Sequence, residues 1–553
     1  MILNGAQILI EVLVEQGVDI IFGYPGGAVL NIYDELFDNE ERIRHILTSH
    51  EQGAAHAADG YSRATGKTGV VLATSGPGST NLVTGIATAF MDSIPMVAIT
   101  GNVNTDSIGK DCFQEVYTAG ITLPITKHNF VVREVSKLAD TLREAFKIAN
   151  SGRPGPVLVD IPKDLTLAKC EFYPQKPLNI DNVYVPDDQQ LNTVAEAINN
   201  SERPLLYYGG GVISSGAYEQ ILDLVKIGNI PAIHSVMGKG IMPYDNPMNL
   251  GMIGMHGSVA AMLAVKKTDL LIAVGARFSD RTANNGENFV DNAKIIQIDI
   301  DDCEVNKNIP ADYSVIGDVR KVLKALLPKI ETKERSIWIE EIADMKNQDY
   351  IPIETEDRLK PHQIIEDIYQ LCPDNLIVTT DVGQHQMWAA QYCKSEQPRS
   401  FLTSAGLGTM GFGYGAAIGA KLGCPNHTVV HITGDGSFHM NMNEVPTAVT
   451  YSLPIITIVM NNNALGMVRQ LQKVYCNSRF SSTLLQKQTD YVKLADAFGA
   501  LGFRAKTPKE FKLALKEALK SNRPCIIECP IDCEEQVLPM MPAGATVDDI
   551  IIE

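Results

Sequence analysis

An α/β fold of three doubly wound parallel-sheet domains is predicted for this chain from three observations. Strand-length apolar runs alternate with helix-length segments along most of its 553 residues. The alternation falls into three blocks, separated by a proline-rich stretch at 170–188 and a charged one at 328–360. The clusters Gly434-Asp435-Gly436-Ser437 and Asn461-Asn462-Asn463 each follow directly on an apolar run. Such alternation puts helices on both faces of a parallel sheet, and ligands bind these sheets in the crevice at the carboxyl ends of the strands.

The first block, 1–168, carries runs at 20–22, 69–73, 96–100 and 157–161, and the second, 189–327, at 205–208, 232–236, 270–274 and 295–300. The third, 361–535, carries them at 376–379, 429–433 and 454–460, before a proline-punctuated tail or lid at 536–553. Short β-branched runs bounded by glycine and proline are strand signals. The first and third blocks resemble each other in pattern only. The opening residues, MILNGAQILIEVLVEQ, read as an amphipathic helix, without the basic start and small-residue cleavage site of a signal peptide. No run is long enough, without charge or glycine, to span a membrane. A formal charge of −18 argues against nucleic acid or an anionic membrane as partner. Ten cysteines without paired spacing suit reduced thiols, so a cytoplasmic protein is expected.

The clearest chemical signal is the unit from His431 to Arg469, which reads as strand, turn, helix, strand. Gly434 and Gly436 let the backbone approach a phosphate, and the helix beginning near Ser437 favours its charge. Asp435 and Asn462, 27 residues apart, offer a carboxylate and an amide oxygen. That donor pair suits Mg²⁺, which keeps few protein ligands and takes its other oxygens from phosphates and water. The unit is therefore a candidate Mg²⁺–diphosphate clamp, although both clusters are also ordinary turn sequences.

A second signal is Ser49-His50-Glu51-Gln52-Gly53-Ala54-Ala55-His56. Its histidines are six apart and would not share a helical face, which disfavours a metal site. Glu51 precedes a helix of small residues that must pack closely. A carboxyl desolvated there would have a raised pKa and suit proton exchange with a neutral base. On its own the position also suits a solvated surface glutamate.

These segments do not stand alone. FGYPGGAVL (22–30), HEQGAAHAADGYSRATGK (50–67), TSGPGSTNLVTGIATAFMDSIPMVAITG (74–101), DCFQE (111–115) and SGRPGPVLVDIPKD (151–164) precede GMHGS (254–258), VGARFSDR (274–281), TDVGQHQMW (380–388) and GLGTMGFG (406–413). With the clamp, and with VLPMMPAGA in the tail, they resemble the large, catalytic subunits of biosynthetic acetolactate (acetohydroxyacid) synthases, thiamine diphosphate-dependent enzymes. The resemblance covers nearly the whole chain. It implies decarboxylation of pyruvate and ligation to a second 2-oxo acid, giving 2-acetolactate for branched-chain amino acid synthesis. The alternatives are a pyruvate oxidase-like or other 2-oxo acid decarboxylase, and a degenerate homologue acting as a scaffold.

By that resemblance Glu51 shares a proton with the cofactor's pyrimidine, Gly27, Phe113 and Gln114 lie near the reacting carbon, and Lys127 holds a carboxylate. Val382, Gly383, Gln384, His385, Gly408 and Met410 contact thiamine diphosphate, with Met410 as the wedge that bends it. Gly434, Asp435, Gly436, Ser437, Asn462, Ala464, Leu465, Gly466 and Met467 surround its diphosphate, and Asp435, Asn462 and Ala464 hold Mg²⁺. Gly406 to Gly411 also matches the dinucleotide pattern G-x-G-x-x-G, but no acidic residue follows in the ribose-binding arrangement. The middle block would hold FAD in a structural role through Gly209, Gly210, Gly211, Arg277, Arg281, Asp299 and Asp318. The resemblance further implies a homodimer or homotetramer with sites between chains, and a small regulatory subunit. One departure stands out: Leu471 occupies the place of a tryptophan that shapes the second-substrate pocket, and Asn104 marks an altered entrance.

Overall fold

The computed structural model describes all residues except 178–185, 284–288, 291, 486–488, 543 and 553. Three six-stranded sheets, each wholly parallel, form its frame. The first contains Ile20–Tyr24, Arg44–Leu47, Gly69–Ala73, Met96–Asn102, His128–Val131 and Pro156–Pro162, in spatial order 2-1-3-4-6-5. The third contains Leu376–Thr380, Phe401–Leu402, Thr428–Gly434, Ile455–Asn461, Leu501–Arg504 and Cys525–Pro530, in the same order. The likeness of these two blocks is thus one of topology, not of pattern alone. The middle sheet, Pro204–Tyr208, Ala232–His234, Asn249–Met252, Leu270–Val274, Lys294–Asp299 and Tyr313–Ile316, has order 3-2-1-4-5-6. That is the order of dinucleotide-binding folds.

Both faces of each sheet are buried. Val71 and Ala73 enter one apolar cluster and Val70 and Leu72 another, as the period of two requires. Ile456 and Ile458 likewise face away from Ile455 and Val459. The cluster holding Val71 also holds Ile455, so the first and third domains share one core.

Their junction is a helix pair. Glu51–Thr65 lies backbone to backbone on Phe412–Gly423: a Cβ at Gly419 would stand 1.9 Å from the Ala57 carbonyl oxygen, and one at Gly60 2.2 Å from that of Ala416. Buried Arg63 pairs with Asp59 and with Asp92 (2.9 Å), and donates to the Thr403 carbonyl at 2.8 Å. Asp92 in turn accepts from Ala405 N and Gly406 N at 3.0 and 2.7 Å.

Two of the segments between the expected blocks carry structure. Ile2–Asn4 pairs antiparallel with Lys169–Glu171, and Phe172 is buried in the first domain, so the stretch beginning at 170 is structural at its start. Residues 178–185 of that stretch lie outside the described part. The charged helix Ser336–Lys346 buries Trp338, Ile342 and Met345 in the middle domain's core.

Candidate active site

In the third sheet the order reverses between Leu376–Thr380 and Thr428–Gly434, and both strands deliver polar residues at their carboxyl ends. Asp381 accepts from Gly413 N (2.8 Å), Thr433 Oγ1 (2.6 Å) and His431 Nε2 (3.2 Å). Burial alone would raise this carboxyl, but His431 and the other donors outweigh it and hold the pKa near about 2. The only local sequence signal of Asp381 is its place after a strand. Beside it, burial lowers His385 to about 4, leaving a neutral imidazole at physiological pH. Its Nε2 is buried with no hydrogen-bond partner among the described residues.

The helix Asp435–Asn441 begins directly after Gly434, with Asp435 and Ser437 buried; Ser437 Oγ accepts from Gly411 N at 3.0 Å. Asn462, after the strand Ile455–Asn461, donates through Nδ2 to Gln384 Oε1 at 3.2 Å and accepts Ala464 N on Oδ1 at 3.0 Å. A Cβ at Gly466 would stand 1.9 Å from Gln384 Oε1, so only glycine leaves these amides room to meet.

Gln384, His385, Gly434, Asp435, Ser437, Asn462, Ala464 and Gly466 line one cavity of about 910 Å³, while Asp381, His431 and Thr433 stand behind its wall. It also touches Val382, Gly383, Gly408, Met410, Gly436, Leu465 and Met467, and reaches Gly210, Gly211, Arg277, Arg281, Asp299 and Asp318 of the middle domain. Burial raises the Asp299 carboxyl to about 6. Asp318 caps the helix Val319–Leu326, accepting from Lys321 N at 3.1 Å. Arg153 lines the same space and pairs with Glu304 at 2.8 Å.

The first domain gathers a second cluster at the equivalent crevice. Glu51 opens the helix Glu51–Thr65, is 8% exposed and accepts from Asn81 Nδ2 at 3.0 Å. Its helix N-terminus is docked on the third domain's Glu444, whose two oxygens accept Ser49 N and His50 N at 3.0 Å each. Gln114, at φ +60°, covers Gly76, whose own Cβ would meet it at 2.8 Å. Phe113 is 89% exposed, and the space around Gly27 is open. None of Gly27, Glu51, Phe113 and Gln114 lines the 910 Å³ cavity.

Three family profiles match the chain in the order of its sheets. They are the N-terminal TPP binding domain of thiamine pyrophosphate enzymes over residues 3–121, the central domain over 191–326 and the C-terminal TPP binding domain over 381–529. The chain is a thiamine pyrophosphate enzyme. Within that family it belongs with the acetolactate synthase large subunits. It is 46% identical over 566 residues to a probable acetolactate synthase large subunit of Methanocaldococcus jannaschii, covering 99% of this chain and 95% of the relative. An Arthrospira platensis acetolactate synthase is 44% identical, with 99% and 97% covered. The isozyme 3 large subunit of Escherichia coli K12 acetolactate synthase is 41% identical, with 99% and 98% covered.

Some residues of this thiamine pyrophosphate enzyme stand elsewhere than expected. Lys127 precedes the strand His128–Val131, at the amino ends of the sheet and away from the crevice. Its Nζ donates to the carbonyls of Ile148 and of Ser151 (2.6 Å), capping the helix Val135–Asn150, and burial lowers its pKa to about 8. Its ammonium is thus engaged by the helix terminus. Gly209 does not line the cavity; a Cβ there would stand 2.6 Å from the Gly275 carbonyl, so it is a backbone crossing. His50 caps its own helix through Nδ1, and His56 packs edge-on to Phe412 at 5.4 Å between centroids.

Proposed function

We propose that this chain catalyses decarboxylation of pyruvate and ligation of the two-carbon unit to a second 2-oxo acid, giving 2-acetolactate for branched-chain amino acid synthesis. One observation carries the reading: two domains of identical strand order present, at equivalent crevices, a buried carboxyl (Glu51) and a pair of buried oxygen donors (Asp435, Asn462). The clamp fits Mg²⁺ with a diphosphate. Asp435 and Asn462 offer hard oxygen donors, and the unpartnered His385 Nε2 can donate to a phosphate oxygen. When bound, thiamine diphosphate supplies the electron sink that decarboxylation of a 2-oxo acid requires. The protein's own work is to hold the cation at Asp435 and Asn462, support the cofactor on Val382 and Met410, and exchange a proton at the Glu51 carboxyl. Asn81 orients that carboxyl by occupying one of its oxygens.

The reading extends to a site completed by two chains. Glu51 and Gln114 lie outside the clamp's cavity, while Phe113, Tyr117 and Leu123 of the same domain are apolar and exposed. A second copy covering that face would bring one chain's Glu51 to the other's clamp, in a homodimer or a homotetramer built from it. FAD fits the middle domain in a structural role: the sheet has dinucleotide order, and the cavity crosses its switch point between Gly210 and Arg277. Relatives named as large subunits support a smaller regulatory partner, so the isolated chain is expected to be active but weakly inhibited by valine. Among the described residues no helix is long and apolar enough to cross a membrane; cytoplasmic placement is part of this proposal. The test is pyruvate with Mg²⁺ and thiamine diphosphate, following CO₂ and acetolactate together. Equimolar release supports a ligase, and CO₂ without acetolactate overturns it.

A further inference from the structure

The C-terminal tail lies in a trough of side-chain donors. On the helix Gln384–Tyr392, Gln384, Trp388 and Gln391 stand at i, i+4 and i+7, one face of the helix. They donate in register to the tail: Gln384 Nε2 to Glu535 O (2.8 Å), Trp388 Nε1 to Gln536 O (3.3 Å) and Gln391 Nε2 to Leu538 O (3.1 Å). The carbonyl between them, Val537 O, receives Gln470 Nε2 at 3.1 Å, while Val537 N donates to Gln470 Oε1 at 2.9 Å. Gln470, 3% exposed, thus pairs with Val537 as a strand would.

This pairing settles the direction of a chain of amides. A main-chain N–H only donates and a carbonyl only accepts, so Val537 fixes which end of the Gln470 amide is oxygen. Gln470 Oε1 then accepts Gln384 Nε2 at 3.0 Å, and the Glu535 carbonyl accepts the same nitrogen. Gln384 Oε1 is left to accept Asn462 Nδ2, and this contact acts together with Ala464 N, which donates to Asn462 Oδ1 at 3.0 Å, to turn the Asn462 oxygen away from Gln384. Asn462 is half of the candidate clamp. A hard cation takes the amide oxygen and not the nitrogen.

We propose that the tail is the outer part of the cation clamp: docking of residues 535–537 orients the Asn462 oxygen through Gln470 and Gln384, and cation binding and tail docking are therefore coupled. Gln470 is a positioning residue; it acts only through Gln384 and Asn462. Coupling is reciprocal, so a bound cation must also hold the tail down. The inference rests on the clamp reading proposed above.

The test uses the full-length protein with Mn²⁺ as probe in the presence of thiamine diphosphate, reading free Mn²⁺ by electron paramagnetic resonance. Tail docking is read by protease cleavage after 535 and by Trp388 emission in a Trp338→Phe background. Gln470→Leu removes the relay, and a chain ending at Cys533 removes the tail itself, so the test survives if the first variant does not fold. Both are expected to weaken Mn²⁺ by about 10–100-fold, the usual effect of losing a partner that orients a metal ligand. In Gln470→Leu, Mn²⁺ should no longer protect the tail. Wild-type Mn²⁺ affinity in either variant overturns the proposal. Asp435→Ala separates the two levels: if it too binds Mn²⁺ normally, the clamp reading has failed, and if it alone is weak, only the relay has.

Discussion

At the residue scale, function depends on where a few polar groups lose water. Glu51→Gln is isosteric and keeps an oxygen toward Asn81, but it cannot exchange a proton. We expect Mg²⁺-dependent cofactor binding to persist while turnover falls about 10²–10⁴-fold, the range for a lost acid–base group. Near-normal turnover with normal binding would remove Glu51 from proton transfer. Leu471 lines the cavity with Met467 and Val468, at the position where the family resemblance implies a tryptophan. A smaller side chain there should grip the extra methyl of 2-oxobutyrate poorly, in a site where one methylene is worth about 1–3 kcal/mol at best. With pyruvate and 2-oxobutyrate at equal concentration, acetolactate should dominate, and Leu471→Trp should shift the ratio toward acetohydroxybutyrate. An unchanged ratio would mean that Met467 or a neighbour already fills the space. Residues were legible in the sequence where local chemistry defines them. Asp435 and Asn462 follow strands and offer oxygen donors. Lys127 was not legible, because its partners are carbonyls at 148 and 151 that only the fold brings near. Asp381 was missed for the same reason, since the groups that hold it, at 413, 431 and 433, converge only in space.

At the element scale, the central strands were readable because parallel sheets buried on both faces write continuous apolar runs, as at 70–73 and 455–459. Edge strands were not. Phe401–Leu402 has two residues, and His128–Val131 is only partly buried, so neither carries a pattern of its own. The helix Glu51–Thr65 was expected to pack tightly from its small residues, and it does, against a partner equally stripped of side chains. Gly419→Ala puts a methyl into the Ala57 carbonyl, which is backbone and cannot rotate away. Overpacking of this kind costs about 1–3 kcal/mol. Chemical denaturation should show that loss. Because the same helix carries Glu51, turnover should fall with it. Unchanged stability would mean the two helices separate freely in solution.

At the scale of the whole molecule, the burial of histidines sets an acid limit. Burial lowers His56, His256 and His385 to about 4 and His234 to about 3, against about 6.5 in an unfolded chain. Between those values the unfolded chain binds protons that the native chain refuses, so stability is present above pH 6.5 and falls as pH drops toward 4. Asp160 and Asp299, raised by burial to about 6, take up protons in the native state and offset part of the loss. Denaturation midpoints measured from pH 7.5 to 4.5 should decline throughout. A flat or rising profile would show that these histidines are hydrated in solution.

The proposed arrangement of two copies is the claim on which the catalytic reading depends, because Glu51 does not line the cavity that holds Asp435 and Asn462. Mixing Glu51→Gln and Asp435→Ala proteins, each inactive alone, and allowing subunits to exchange tests it directly by acetolactate formation from pyruvate. In a mixed twofold dimer one site carries both lesions and the other neither, so random exchange should restore about a quarter of wild-type activity. No recovery, with exchange verified by differently tagged chains, would mean that Glu51 serves the clamp of its own chain.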